Sequence, residues 1–331
     1  MNNPISLKIA GTGRALPRRA MTNKEFEQFL DTSDEWIRAR TGIRERRVAG
    51  DGETTAQLGI EAGRAAIADA GCRPEDIDMV ICATISPEVP FPATASFIQD
   101  GLGVKNNIPA FDVSAACSGF IYGLVVAGGL IQSRLYRRIL LIGSENMTRV
   151  CDFEDRGSCI LFGDGAGAAV ITPANGSGSQ LLHSLLHCDG SEVEMLWIPA
   201  GGARQPTSIE TVQQKLQYVQ MKGREVFKFA VKKMEEVIER TLCETGVRPE
   251  QIKLLIPHQS NLRIIEFMRE RMGLPKDRVY VNIDRFGNTS AASIPIALDE
   301  ARRNGQIVPG DLVLFLAVGA GMTWASALVR Y

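Results

Sequence analysis

Three residues of this chain could together handle an activated acyl group: Cys117 in FDVSAACSGF, His258 in LLIPHQSN and Asn288 in FGNTSAAS. A thiol can attack a carbonyl carbon, while a neutral imidazole N–H and a carboxamide N–H can both donate to one enolate oxygen without protonating it. Each also has an ordinary explanation, since free cysteine is among the most buried residues, histidine is often bonded at a strand end, and asparagine is a common turn residue or cap. Two other motifs lead nowhere. His183 and His187 in LLHSLLHC, beside Cys188, have the i, i+4 spacing of a zinc pair, but the segment alternates like a strand and no further ligands follow. GDGAGA at 163–168 loosely resembles a dinucleotide loop, yet lacks GxGxxG spacing and runs into the strand AAVIT instead of a helix.

The three polar residues gain weight from the elements that hold them. Cys117 follows the strand IPAFDV and opens the apolar helix GFIYGLVVAGGLI; Asn288 stands at almost the equivalent place, after VYVNI and before SAASIPIALDEA. His258 closes the strand KLLIP, just ahead of a helix that Asn261 can cap. Ligands of open α/β sheets gather beyond the carboxyl ends of the strands, so all three side chains are expected on one face. A thiol at a helix amino terminus also lies near unpaired N–H groups and the positive end of the dipole, which favours thiolate.

The chain repeats itself. PEDIDMVICAT at 74–84 and PEQIKLLIPHQ at 249–259 each precede an amphipathic helix, a second strand (IPAFDV; RVYVNI), a small-residue turn, another helix, a third strand (RRILLIG; DLVLFLA) and a glycine-rich stretch entering a strand. Alternating strands and helices imply parallel βαβ units, and a period of about 170 to 175 residues implies two similar α/β halves instead of a solenoid. The linker-like PANGSGSQ places the boundary between residues 1–175, which carry the cysteine, and 176–331, which carry the histidine and asparagine.

With 331 residues, 45% of them hydrophobic and 23% charged, the chain can bury a large core. Thirty-seven basic against 38 acidic residues leave a formal charge of -1, no electrostatic footprint for nucleic acid or membrane. The longest apolar run, residues 119–131, is too short to cross a bilayer, and the start MNNPISLKIAGTG reads as no export leader, so a cytoplasmic protein is expected. Seven scattered cysteines without CxxC spacing read as reduced thiols.

CSGF around Cys117, PHQSNLRI around His258, GNTSAAS around Asn288 and the closing GAGMTWASALV resemble the β-ketoacyl-acyl-carrier-protein synthase III family, as do TSDEWIRARTGIRER at 32–46 and DRGSCILFGDGAGAAV at 155–170. The resemblance spans nearly the whole chain. It implies a thiolase-like fold, an α/β class of two similar halves in five αβαβα layers, and a homodimer. It further implies that Cys117 takes an acyl group from acyl-coenzyme A, acetyl foremost, and that malonyl on acyl carrier protein then loses carbon dioxide while His258 and Asn288 hold the enolate. The substrate thioester would be the only coenzyme involved, with no metal or redox cofactor.

The same resemblance distributes further roles. The oxyanion hole would be the N–H groups of Cys117 and Ala320, in a turn where Ala320 and Met322 replace the usual glycine and phenylalanine; an alanine there requires a negative φ. Ser260 stands where alanine is common. Trp36 and Arg156 would sandwich the coenzyme A adenine, with Arg40 and Thr41 near the nucleotide and Asn261 lining the pantetheine tunnel. Read from sequence alone, Trp36 follows a capping box, Thr32-x-x-Glu35, and the arginines form a solvated face. Phe91 would reach across the dimer into the partner's acyl pocket. Arg263 and the helical lysines Lys228, Lys232 and Lys233 would dock the acidic carrier protein.

Two other readings compete. A relative in specialised metabolism could pass the acyl group to another acceptor, and a non-catalytic subunit could merely bind coenzyme A or carrier protein. The intact Cys, His and Asn set speaks against both.

Overall fold

The strands Met79–Ala83 and Ile139–Asn146 are buried along their entire length, as their apolar runs require of parallel strands covered on both faces. They lie inside a five-stranded sheet ordered Leu7–Ala15, Asp164–Pro173, Ile139–Asn146, Met79–Ala83, Ala110–Val113. A computed structural model describes residues 4–331; the first three residues of the amino-terminal segment read above lie outside them.

A second sheet repeats this order with one strand fewer: Gln180–Cys188, Thr323–Arg330, Leu312–Gly319, Leu254–Pro257. In both sheets parallel strands, three in the first and two in the second, are followed by antiparallel neighbours. The expected strand RVYVNI does not form. Only a bridge between Leu255 and Val279 remains, because the Gln259 side chain takes over the pairing: its amide donates to Pro257 O and Tyr280 O and accepts from the N–H groups of Asn282 and Ile283.

Five layers result. Helices Thr55–Asp69 and Thr94–Leu102 cover the outer face of the first sheet, and Gly223–Thr245 and Leu262–Arg271 that of the second. Between the sheets lie Gly119–Gln132, apolar on nearly every side, and Ser293–Arg303. A Cβ on Gly167 would stand 2.5 Å from the backbone nitrogen of Ile296, so glycine lets the inner helix rest on the strand. No helix among the described residues is long and apolar enough to cross a membrane.

Candidate active site

Cys117 sits in a single 3-10 turn, Ala116–Ser118, between the strand Ala110–Val113 and the inner helix Gly119–Gln132. Ala116 has φ 47°, a left-handed conformation that costs a non-glycine residue roughly 1–2 kcal/mol and turns the chain sharply into the helix. The opening N–H groups of such a turn have no carbonyl partner within it. A Cβ on Gly319 would lie 2.7 Å from Cys117 N, which brings the Gly319–Met322 turn directly against the nucleophile. Thr323 fastens the two turns, its hydroxyl lying 3.1 Å from Ala115 O and 3.2 Å from both Ser118 Oγ and Ala320 O. Ala320 takes an ordinary negative φ, which accommodates its methyl group. Met322 fills the space beneath, held to Asp189 by two backbone bonds.

The expected thiolate is not favoured in the resting site. Burial pushes the Cys117 thiol up to about 12; the Ser290 hydroxyl opposes this and the nearby Glu145 carboxylate adds to it. The helix amino terminus is present, yet desolvation of the sulfur outweighs it.

His258 follows the strand Leu254–Pro257 and is buried. Its Nδ1 lies 2.7 Å from Ser293 Oγ, which also receives the Gln259 N–H at 3.5 Å. With that oxygen already accepting, the hydroxyl proton points to Nδ1 and the imidazole proton is assigned to Nε2, which is buried and has no partner. Burial lowers the imidazole to about 3, so it is neutral at physiological pH.

Asn288 belongs to the second half but is sewn to the first: its N–H donates to Leu161 O and its carbonyl accepts from Gly163 N. Its side-chain Oδ1 accepts from Ser290 N at 2.9 Å, leaving the amide nitrogen as the free group. Cys117, His258 and Asn288 line one cavity of about 100 Å³, together with Phe227, Asn261 and Met322. A second cavity of about 230 Å³, walled by apolar residues such as Ile85, Met147, Val150 and Ile198, also reaches Cys117 and Ala320. The sulfur thus stands where a mixed passage meets an apolar chamber. A larger cleft of about 860 Å³, among Arg134, Arg137 and Arg138, contains none of these residues.

The residues expected to hold a nucleotide cluster near the passage, with three corrections. The helix Asp34–Thr41 is capped by Ser33, which accepts from Trp36 N, and not by the anticipated Thr32–Glu35 box. Thr41 is buried; its hydroxyl donates to Ile37 O and accepts from Ile43 N, so its one proton is spent on closing the helix end and its side chain has no donor for a ligand. Arg40 and Arg156 both stack on Trp36, at 4.6 and 4.9 Å from the ring centroid, and Arg156 also bonds Asp31. Two stacking gaps need about 7 Å, so a purine enters between Trp36 and Arg156 only if the guanidinium swings aside. Asn261 caps its helix through Arg263 N and donates to Arg40 O, joining the two helices at the cavity rim.

Phe91 is 86% exposed, near the exposed Val89 and Phe97. Arg263 lies over Phe227 at the rim of the first cavity, and Lys228 and Lys232 are exposed on Gly223–Thr245. Lys233 leaves that group: it pairs with Glu236 and packs over Trp324. Sequence reasoning overlooked Ser293, which orients His258, and Gln259, whose amide ties the His258 strand end to Tyr280; only their place in SAAS and PHQS signals them, since these two contacts span more than twenty positions.

The architecture and site define a thiolase-fold condensing enzyme. Residues 111–190 match the family described as 3-oxoacyl-[acyl-carrier-protein] synthase III, and residues 242–331 match its C-terminal domain. The chain is 49% identical over its full length, and 99% of the relative's, to the β-ketoacyl-[acyl-carrier-protein] synthase III of Caldanaerobacter subterraneus subsp. tengcongensis. It is 45% identical to the crystal structure of 3-oxoacyl-[acyl-carrier-protein] synthase III from Aquifex aeolicus, with a TM-score of 0.90 over 98% of this chain and 100% of that one. The priming β-ketosynthase of the R1128 polyketide pathway is 34% identical, with a TM-score of 0.89 over 99% and 97%. The chain belongs to the β-ketoacyl-acyl-carrier-protein synthase III family, whose members are acyltransferases of the condensing type.

Proposed function

We propose that the protein starts fatty acid synthesis by joining an acyl-coenzyme A primer, acetyl foremost, to malonyl-acyl carrier protein. The Cys117 sulfur attacks the primer's thioester carbonyl, the bond to the coenzyme A sulfur breaks, and the cysteine proton leaves with coenzyme A as its thiol. The developing oxyanion would be met by the N–H groups of Cys117 and Ala320. Malonyl thioester then loses carbon dioxide, and the electron pair of that bond becomes an enolate whose oxygen accepts from His258 Nε2–H and the Asn288 amide. The enolate carbon attacks the acyl-cysteine, the sulfur departs from the β-ketoacyl product as thiolate, and a proton from solvent restores the thiol.

The observation that carries this reading is the convergence of the three polar groups on one cavity while an apolar chamber opens behind the sulfur. A histidine kept neutral by burial can donate to an enolate without quenching it. The chemistry calls for no metal or redox cofactor. Trp36, Arg40, Arg156 and Asn261 are assigned to coenzyme A, and Arg263 with Lys228 and Lys232 to the acidic carrier protein in the cytoplasm. The two halves, 1–175 and 176–331, act as one unit across the site. A homodimer is supported by the unpaired edge of the strand Ala110–Val113 beside exposed Phe91 and Phe97, which would extend the sheet into a partner and bring Phe91 to its acyl chamber.

The likeness to a polyketide priming synthase supports a second reading, in which the same chemistry feeds a specialised pathway. Incubation with a panel of acyl-coenzyme A esters, read by intact mass and peptide mapping, tests both. Acetyl is expected to load on Cys117 and to move on to malonyl-acyl carrier protein. Loading by bulky starters alone would favour the second reading, and an unmodified Cys117 would refute both.

A further inference from the structure

One ionisable group beside the nucleophile has no part in the chemistry above. Glu145 is the last residue but one of the strand Ile139–Asn146, is wholly buried, and has no lysine or arginine paired with it among the described residues. Its Oε2 accepts from Thr84 Oγ1 at 3.1 Å, Ile85 N at 3.1 Å, Ser86 N at 3.1 Å and Ser86 Oγ at 2.5 Å. Its Oε1 faces Ile85 N at 3.3 Å and, across the junction between the halves, Ala291 N at 3.4 Å. Ser86 Oγ in turn accepts from Asn146 N at 2.9 Å. The turn bearing Ala291 presses on the same strand: a Cβ on Gly143 would come within 2.3 Å of Ala291 O.

A buried carboxylate costs several kcal/mol unless its lone pairs are filled, and here the filling groups are two segments that shape the site. Thr84–Ser86 presents Ile85 to the apolar chamber at Cys117. Ala291 follows Ser290, whose N–H holds the Asn288 side chain. We propose that Glu145 is a positioning residue of the acyl chamber: by gathering the Thr84–Ser86 and Ala291 N–H groups it fixes Ile85 opposite Cys117 and sets which acyl chains are accepted. Glutamine would not serve. Both oxygens face N–H donors, so either orientation of an amide turns an NH2 against an N–H.

This inference rests on the acylation of Cys117 proposed above. The wild type, Glu145→Gln and Ser86→Ala are given acyl-coenzyme A esters of two, four and six carbons, with loading followed by intact mass, kcat and KM measured with malonyl-acyl carrier protein, and melting curves recorded. Glu145→Gln is expected to slow loading of the preferred chain about tenfold and to flatten the preference among chains, with kcat changed more than the KM for acyl-coenzyme A. Ser86→Ala should move the same way by about threefold. Wild-type rates and chain order in Glu145→Gln, or an equal loss for every chain that merely tracks the melting temperature, would overturn the proposal. If that variant does not fold, an unaltered chain profile in Ser86→Ala overturns it. A wild type that never loads Cys117 would instead defeat the reaction scheme on which the proposal stands.

Discussion

The turn Ala116–Ser118 of the first half and the turn Ser290–Ala292 of the second are the same backbone carrying different chemistry. Each begins with a non-glycine residue at positive φ, 47° at Ala116 and 46° at Ser290, makes one 3-10 turn and feeds an inner helix. They pack on each other, a Cβ on Gly119 falling 3.3 Å from the Ala291 methyl. In the first, the residue after the strained position is Cys117; in the second it is Ala291, and the polar group comes from Asn288, two positions before the strained residue. The helices differ too. Gly119–Gln132 buries no charge, whereas Ser293–Arg303 carries buried Asp299 and Glu300, bonded to Arg14, Arg303 and Arg285. Duplicated geometry therefore does not duplicate function: the first turn supplies a nucleophile, and the second an amide directed at the same cavity.

This division can be broken by substitution. His258→Ala or Asn288→Ala is expected to slow decarboxylation of malonyl-acyl carrier protein about 10²- to 10³-fold while acyl loading of Cys117 falls less than about tenfold. Separate assays of carbon dioxide release and intact mass check this, and equal loss of both steps would erase the distinction between the turns.

The pH dependence sharpens it. With His258 lowered to about 3, carbon dioxide release from preloaded enzyme should stay level as pH falls from 8 to 5; a decline centred near 6.5 would mean a titrating imidazole. Below about pH 6.5 the unfolded chain takes up a proton that folded His258 refuses, so this residue makes stability fall with pH down to about 3, readable in denaturant melts. On the cysteine side, the thiol near 12 predicts iodoacetamide alkylation that rises through pH 9 without a plateau.

The smallest effect concerns the shared backbone. Ala116→Gly and Ser290→Gly relieve the same strain at the cost of a more flexible unfolded chain, and each should shift stability by no more than about 1 kcal/mol, in the same direction. Opposite shifts in melting would show that the two turns bear unequal strain.

Much of this could be read from residue order. The echo of Pro74–Asp76 in Pro249–Gln251, the strands after them and the cap at Asn261 depend on local patterns that survive translation into structure. Apart from the cap at Ser33, one residue from the expected Thr32, what misled was a contact from elsewhere in the chain. RVYVNI has the composition of a strand, but the Gln259 amide occupies its pairing positions. Cys117 has the setting of a thiolate, but the second half closes over it and removes the water a charge would need. Arg156 was assigned a gap beside Trp36, which the guanidinium itself fills.

By itself the sequence determined which groups could react, which strand ends carry them and that the chain is built twice, because alternation, capping and turn chemistry act over a few neighbouring residues. Only the tertiary structure decided that Ser293 would turn the His258 proton toward the cavity, that Asn288 would be stitched to Leu161 and Gly163, and that a buried Glu145 would gather Thr84–Ser86 and Ala291. Those outcomes depend on distances between distant segments and on how much water is left around them, which residue order does not specify.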